Sequence, residues 1–128
     1  MILIADDSRF MRKYLIQMLE KHGYSKFIEA ENGEEAIKSF QNYKPDLVFL
    51  DITMPVVDGL TALKKIKEID PDAKVIICSA MATEHHQERA LKSGAIDFVR
   101  KPFFHTIPAI LAKLQSSNGG ENNEQSFF

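Results

Sequence analysis

The chain alternates short apolar runs with longer amphipathic segments. The apolar runs occupy residues 2–5, 27–30, 47–50, 75–78 and 98–99. Runs of this kind are typical of strands that are covered on both faces, as in parallel sheets. Each run is followed by apolar residues at helical spacing, and after the first run these are Phe10, Met11, Tyr14, Leu15, Met18 and Leu19. The pattern therefore predicts five consecutive strand–helix units.

Capping residues indicate where the predicted helices begin and end. Ser8 and Asn32 stand at the start of the first and second helical segments, and Thr83 opens the fourth. Gly23 and Gly94 follow the first and fourth segments, where glycine commonly ends a helix. These residues confine each helix to the interval between two strands.

Five strand–helix units in series predict an α/β fold in a single domain. Consecutive units of this kind form a doubly wound, five-stranded parallel sheet with right-handed crossovers, a flavodoxin-like (βα)5 arrangement. The first, third and fourth runs are apolar throughout, which suits central strands. Glu29 in the second run, and Asp97 and Arg100 beside the short fifth run, suit the two edges. The predicted strand order is 2-1-3-4-5.

Length and composition favour one globular domain. The chain has 128 residues, of which 45% are hydrophobic, and we expect residues 1–115 to form the domain. Residues 116–128 consist mostly of Ser, Asn, Gly, Glu and Gln. That composition cannot bury much apolar surface and predicts a disordered polar tail or linker.

Charge and hydropathy argue against two classes of partner. The formal charge is −2 without a basic stripe, so we expect no nucleic acid. No apolar run is long enough for a membrane span or a signal peptide, which predicts no membrane partner and a cytoplasmic location. The single cysteine, Cys78, lies within an apolar run and is expected to be a buried, inert thiol.

Polar residues follow the predicted strands at the point where each strand ends. Asp6 and Asp7 follow the first run, Asp51 the third, and Ser79 and Lys101 later runs. Ligands of open α/β sheets bind outside the carboxyl ends of the strands, where the strand order reverses. Strands 1 and 3 are neighbours at that point in the predicted order. The three aspartates are therefore expected around one crevice.

Three carboxylates in one crevice need a compensating positive charge. Oxygen ligands favour Mg²⁺, and the loop after Asp51 can add a backbone carbonyl. Asp51 is then a plausible nucleophile that forms an aspartyl-phosphate, with Lys101 and Ser79 available to a phosphoryl oxygen. Taken singly, each residue has a simpler interpretation: Asp7 and Ser79 as helix caps, and Lys101 as a surface lysine.

The fourth helical segment is thinly apolar. Ala90 and Leu91 supply most of its apolar surface, among charged and polar neighbours. A helix that buries little is weakly held. Two interpretations stay open, a solvated surface helix and a movable element.

The chain resembles the receiver domain of two-component response regulators. The matching segments cover residues 1 to about 115 in the family's order and spacing, and they are Ile4-Ala5-Asp6-Asp7-Ser8, Leu50-Asp51-Ile52-Thr53-Met54-Pro55 with Asp58-Gly59, Cys78-Ser79-Ala80 and Lys101-Pro102-Phe103. Asp-Ile-Thr-Met-Pro and Cys-Ser-Ala-Met look especially close to the stand-alone chemotaxis type.

The resemblance implies a role for each residue of the site. It implies that Asp51 is the phosphoacceptor and that Ser79 and Lys101 contact the phosphoryl oxygens. It also implies a magnesium site formed by Asp6, Asp7, Asp51 and the backbone carbonyl of Thr53. Ser79 and Phe98 match the family's switch residues, which remodel the face made by the fourth helix, fifth strand and fifth helix.

The resemblance also implies a regulatory phosphoacceptor that catalyses only its own phosphorylation and dephosphorylation. Thr53 and Met81 occupy the positions that tune phosphoryl lifetime, and neither readily orients a water, so we expect slow to moderate self-hydrolysis. The implied partners are a histidine kinase or phosphotransfer protein and an output protein, such as a flagellar-motor component.

Three other possibilities were open from the residues. The chain could be a receiver domain from a longer regulator, with residues 116–128 as the linker. It could be an aspartate-nucleophile phosphohydrolase, although Thr53 stands where that chemistry needs a second acid. It could be a flavin-binding module, although Asp6 and Asp7 would repel a phosphate.

Overall fold

The computed structural model describes residues 1–80, 83–101 and 104–117. Within these residues the strands are β1 (Ile2–Ala5), β2 (Phe27–Ala30), β3 (Leu47–Asp51), β4 (Val75–Ser79) and β5 (Asp97–Arg100). The helices are α1 (Arg9–Lys21), α2 (Gly33–Tyr43), α3 (Gly59–Ile69), α4 (Glu84–Lys92) and α5 (Ile107–Ser117), the last preceded by a 3₁₀ turn (Phe104–Thr106). Three residues singled out above, Met81, Pro102 and Phe103, lie outside the described residues, as does the segment 118–128 of the predicted tail.

The strands form one parallel sheet in the order β2-β1-β3-β4-β5, as predicted. β3, β4 and β5 are longer than their apolar runs, because β3 includes Asp51, β4 includes Ser79, and β5 starts at Asp97 and ends at Arg100. Strand pairing uses backbone N–H and C=O groups, so polar residues at the ends of an apolar run can still belong to the strand.

Side chains alternate along the strands and build a core on each face of the sheet. On one face Leu3, Leu50 and Ile77 pack with residues of α2, α3 and α4. On the other face Ile4, Phe49 and other strand residues pack with α1 and α5, through Leu15, Leu19, Ile107 and Leu111. The sheet is therefore doubly wound, and its two cores fix the strands whose ends carry the polar residues.

The predicted caps are present in the structure. The side chains of Ser8, Asn32 and Thr83 accept hydrogen bonds from backbone N–H groups in the first turns of α1, α2 and α4. Gly23 and Gly94 adopt φ values of +96° and +105°, which glycine reaches without strain. The cap of α3 was not predicted: the side chain of Asp58 accepts a hydrogen bond from the N–H of Thr61 at 2.8 Å.

The helices differ in how firmly they pack on the sheet. Ala90 is the one residue of α4 that is buried, as the thin apolar content of this segment predicted. α5 extends to Ser117, two residues into the segment predicted as a tail. Among the residues that the structure describes, none of the helices is both long and apolar enough to cross a membrane.

Candidate functional site

Three aspartates meet where β1 and β3 end. Ala5 and Leu50 are paired across the two strands, so Asp6 and Asp51 follow at the same height. One carboxylate oxygen from each of Asp6, Asp7 and Asp51 lies within 4.8 Å of the others. We call these three residues the acidic pocket. Asp6 and Asp51 are 6% and 7% exposed, whereas Asp7 is open to solvent.

Lys101 reaches the acidic pocket from the end of β5. Its backbone N–H donates to the carbonyl of Ser79 at 2.9 Å, which continues the pairing of β4 with β5 by one residue. Its ammonium group contacts Oδ2 of Asp6 and lies 3.3 Å from Oδ2 of Asp51. A residue 50 positions after Asp51 is thereby brought against it, at the place where the strand ends converge.

The charges of the pocket shift the pKa of its members. The pKa of Asp51 is raised to about 6, chiefly by burial and also by the nearby charge of Asp6, although Lys101 and a hydrogen bond from the backbone N–H of Thr53 act in the opposite direction. Burial alone would lower the pKa of Lys101, but the two aspartates outweigh it and raise that pKa above its usual value. Lys101 therefore stays charged, and it does not by itself relieve the repulsion among three carboxylates.

Two further predicted residues lie beside the pocket: Ser79 at the end of the neighbouring strand β4, and Thr53 in the loop that follows β3. Ser79 is the fully buried last residue of β4, one position beyond Cys78, which is paired with Asp51. Thr53 lies two residues after Asp51, and its backbone N–H bonds the Asp51 carboxyl. Its side chain is exposed. Both predicted positions are therefore close to Asp51.

The loop 52–58 is held in place by two glycines. A Cβ on Gly59 would lie 2.0 Å from the carbonyl oxygen of Asp51, and one on Gly33 would lie 2.0 Å from that of Val57. The N–H of Gly59 also donates to the carbonyl of Ile52 at 2.8 Å. Val56 has φ +69°, a conformation rare for a β-branched residue, so the surrounding contacts hold this loop against local strain.

Phe98 and Cys78 occupy positions behind the pocket. Phe98, three residues before Lys101, is half-buried and packs against the core shared with α2, α3 and α4. Cys78 is buried, as predicted, and burial raises the pKa of its thiol to about 12, so this sulfur stays protonated. Neither side chain is part of the acidic pocket.

A buried arginine that was not predicted from the sequence lies next to the pocket. Arg12, on α1, is 8% exposed and donates from Nη1 to the backbone carbonyl of Asp6 at 2.8 Å. Its Nε donates to Oε1 of Glu29 on β2 at 2.8 Å. A signal was available, because residues 12, 15 and 19 are spaced to share one face of α1, the face that carries Leu15 and Leu19.

Comparison with known proteins identifies the family. The response regulator receiver domain model matches residues 2–115. The chain is a response regulator receiver domain. This receiver domain is 49% identical over 102 residues to the chemotaxis protein CheY of Bacillus subtilis, an alignment that covers 80% of this chain and 85% of the relative. It is 48% identical over 102 residues to the CheY of Thermotoga maritima, with the same coverage of each chain.

Solved structures agree with the family. The receiver domain superposes on the CheY-containing CheX–CheY–BeF₃–Mg²⁺ complex from Borrelia burgdorferi with a TM-score of 0.82 and 38% identity, over 92% of this chain and 88% of that chain. Receiver domains are regulatory phosphoacceptors of two-component signalling, and this is the function class of the chain. The family match does not favour the phosphohydrolase or flavin-binding alternatives.

Proposed function

We propose that this receiver domain takes a phosphoryl group on Asp51 from a histidine kinase or phosphotransfer protein and serves chemotaxis or motility. The observation that carries the proposal is the meeting of three carboxylates with Lys101, whose Nζ lies 3.3 Å from Oδ2 of Asp51. The relatives named CheY support the pathway. A cytoplasmic location is part of the same proposal.

Asp6, Asp7, Asp51 and the backbone carbonyl of Thr53 would hold a Mg²⁺ ion. The donor set fits, because all ligands are oxygens and one ammonium group faces three carboxylates. Burial raises the pKa of Asp51 and so disfavours its ionised form, a cost that a bound cation would offset. A bound divalent cation would neutralise charge on the incoming phosphoryl oxygens and favour the ionised, nucleophilic form of Asp51.

The protein's own residues would position the transfer. An oxygen of Asp51 forms the new bond to phosphorus as the bond between phosphorus and the donor nitrogen breaks. Lys101 offers a fixed positive charge, Ser79 a hydroxyl donor and Thr53 a backbone N–H near the group that receives the phosphoryl. The loop 52–58, held by Gly33 and Gly59, keeps these donors in place.

The output surface would be the face formed by α4, β5 and α5. Ser79 and Phe98 are the proposed switch residues, since one ends β4 beside the pocket and the other is a half-buried aromatic on β5. α4 is attached mainly through Ala90 and can shift at low cost. The proposed output partner is a protein that reads this face, such as a flagellar-motor component.

The phosphoryl group is proposed to be lost slowly. Thr53 is neither an acid nor an amide and would not readily orient an attacking water. Met81, the second position that would tune this rate, lies outside the described residues. Self-dephosphorylation with Mg²⁺ is expected to take longer than a few seconds.

Phosphorylation by acetyl phosphate tests the proposed acceptor. Incubation with Mg²⁺ should add one phosphate per chain by intact mass, and the addition should be lost in Asp51→Asn, Asp6→Ala and Asp7→Ala. The matched control is Asp58→Asn, which removes a nearby carboxylate but keeps a helix cap, and it should be phosphorylated normally. Phosphorylation that persists in Asp51→Asn would contradict the acceptor, and persistence in both alanine variants would contradict the metal site.

A further inference from the structure

Arg12 is a buried charge that the proposed reaction does not use. Its guanidinium group divides its hydrogen bonds between the backbone carbonyl of Asp6, at 2.8 Å from Nη1, and Oε1 of Glu29, at 2.8 Å from Nε. The second oxygen of Glu29 accepts from Nζ of Lys13, also at 2.8 Å. Because Glu29 belongs to β2, its bond with Arg12 fixes the guanidinium group to the sheet, and the same group also bonds the carbonyl of Asp6.

Asp6 is held by four hydrogen bonds, one of which is the contact of its Oδ2 with the Lys101 ammonium group. Its N–H donates to the carbonyl of Ala30 at 3.1 Å. Its Oδ1 accepts from the N–H of Ser8 at 2.9 Å. Its carbonyl accepts from Arg12, which comes from six residues further along the chain. Backbone and side chain of Asp6 are thereby fixed relative to β2 and α1.

The Arg12 bond also reaches Asp7. The carbonyl of Asp6 and the N–H of Asp7 belong to one planar peptide group. A donor that fixes this carbonyl sets the rotation of that plane, and with it the direction in which the exposed Asp7 side chain leaves the backbone. One guanidinium group is therefore bonded to the peptide group that joins two members of the acidic pocket.

We propose that Arg12 is a positioning residue for the divalent-cation site, acting through the Asp6 carbonyl and held by Glu29. The inference rests on the proposed function of the acidic pocket. The simpler role for the same contacts is structural, namely an ion pair that ties α1 to β2.

The two roles predict opposite changes in cation affinity. Removing a positive charge close to three carboxylates makes the pocket more negative, so a purely electrostatic or structural role gives equal or tighter binding of a cation. Loss of a positioning contact gives weaker binding, because the carboxylates no longer share one fixed geometry. Partners of this kind usually change metal affinity by about 10- to 100-fold when removed.

Mg²⁺ titration of four proteins tests the proposal. Calorimetry on the wild type, Arg12→Gln, Glu29→Gln and Lys13→Gln gives the dissociation constant of each, and Mn²⁺ with paramagnetic detection of the free ion gives a second measure. Arg12→Gln should bind about tenfold more weakly. Glu29→Gln keeps an acceptor for Arg12, so its Mg²⁺ affinity should fall less than that of Arg12→Gln. Lys13→Gln is the matched control, because Lys13 shares Glu29 but does not contact Asp6, and its affinity should stay within about twofold.

Unfolding in the presence of a chelator is measured alongside, so that affinity is compared only among folded proteins. If Arg12→Gln does not fold, Arg12→Lys replaces it, since a lysine keeps the charge but cannot reach both acceptors as a guanidinium does. Equal or tighter Mg²⁺ binding in the arginine variant would overturn the positioning role alone. An absence of saturable binding in the wild type would overturn the proposed metal site and the positioning role together.

Discussion

α1 and α4 pack on the same sheet but are held very differently. α1 buries the side chains of Arg12, Leu15 and Leu19, and its first turn comes soon after Asp6 and Asp7 in the chain. α4 contributes Ala90 to the core, while its neighbour Leu91 is 44% exposed. The helix beside the aspartates is therefore fixed by apolar burial and by ion pairs, and the helix on the proposed output face is not.

This difference matches the separate demands of the two regions. A phosphoacceptor site needs carboxylates held in a constant geometry, since small displacements weaken both metal binding and in-line transfer. An output face needs a conformation that a distant event can change, and elements of low local stability provide it. The unequal distribution of the core along the sheet would meet both demands of the proposed function.

Truncating a leucine in each helix should give the largest contrast between the two regions. Leu19→Ala removes a side chain with 0% exposure and should lower the free energy of unfolding by about 3 kcal/mol. Leu91→Ala should lower it by about 0.5 kcal/mol or less. Urea denaturation followed by far-ultraviolet circular dichroism measures both, because the chain contains no tryptophan. A similar cost for the two variants would contradict the comparison.

The pocket beside α1 should also be a source of instability in the absence of metal. The pKa of Asp51 is about 6 in the folded protein and near 3.8 when unfolded, so the folded state binds this proton more tightly. The resulting stabilisation is full below pH 3.8 and is lost as the pH rises to about 6.

Asp51→Asn removes this dependence. Above pH 6 the variant should be more stable than the metal-free wild type by roughly 1 to 2 kcal/mol, a value reduced for solvent screening at the open pocket. Denaturation of both proteins in chelator at pH values from about 4.5 to about 8 measures the difference. A difference that does not change with pH would exclude the raised pKa of Asp51.

Removing one helix cap from each region should lower stability by a smaller amount, and the two variants should differ in which part of the structure is destabilised. Ser8→Ala and Thr83→Ala each delete a side-chain acceptor at a helix start, a loss of about 1 kcal/mol. The cost of Ser8→Ala should appear as global destabilisation, because α1 is tied to the core. Thr83→Ala should mainly speed amide hydrogen exchange within α4. Exchange that rises equally in all helices of the Thr83 variant would show that α4 is not a separate unit.

The fold could be predicted from the sequence because its signals are local. Apolar runs mark the strands, Ser8, Asn32 and Thr83 mark helix starts, and polar residues at the edges give the strand order. The site followed from the same logic, since strand ends converge in a parallel sheet. The resemblance to receiver domains assigned the roles, and the match over residues 2–115 confirmed the family.

The supporting contacts could not be predicted in the same way. Glu29 was interpreted as a mark of an edge strand, and its pairing with Arg12, 17 residues away, depends on how α1 lies across the sheet. Contacts of this kind depend on tertiary geometry, which no local pattern of apolar residues contains.

The two glycines at the loop 52–58 have a consequence for sequence variation. Alanine is ordinarily the mildest replacement in a helix, yet at Gly33 or Gly59 its Cβ would lie 2.0 Å from a backbone oxygen of the loop. A backbone oxygen cannot relieve such a clash by rotating away as a flexible side chain can. The start of α2 or α3 would therefore have to move away from the loop. We expect a saturation mutagenesis library selected for signalling to accept many residues at exposed Val56 and almost none at these two neighbouring positions.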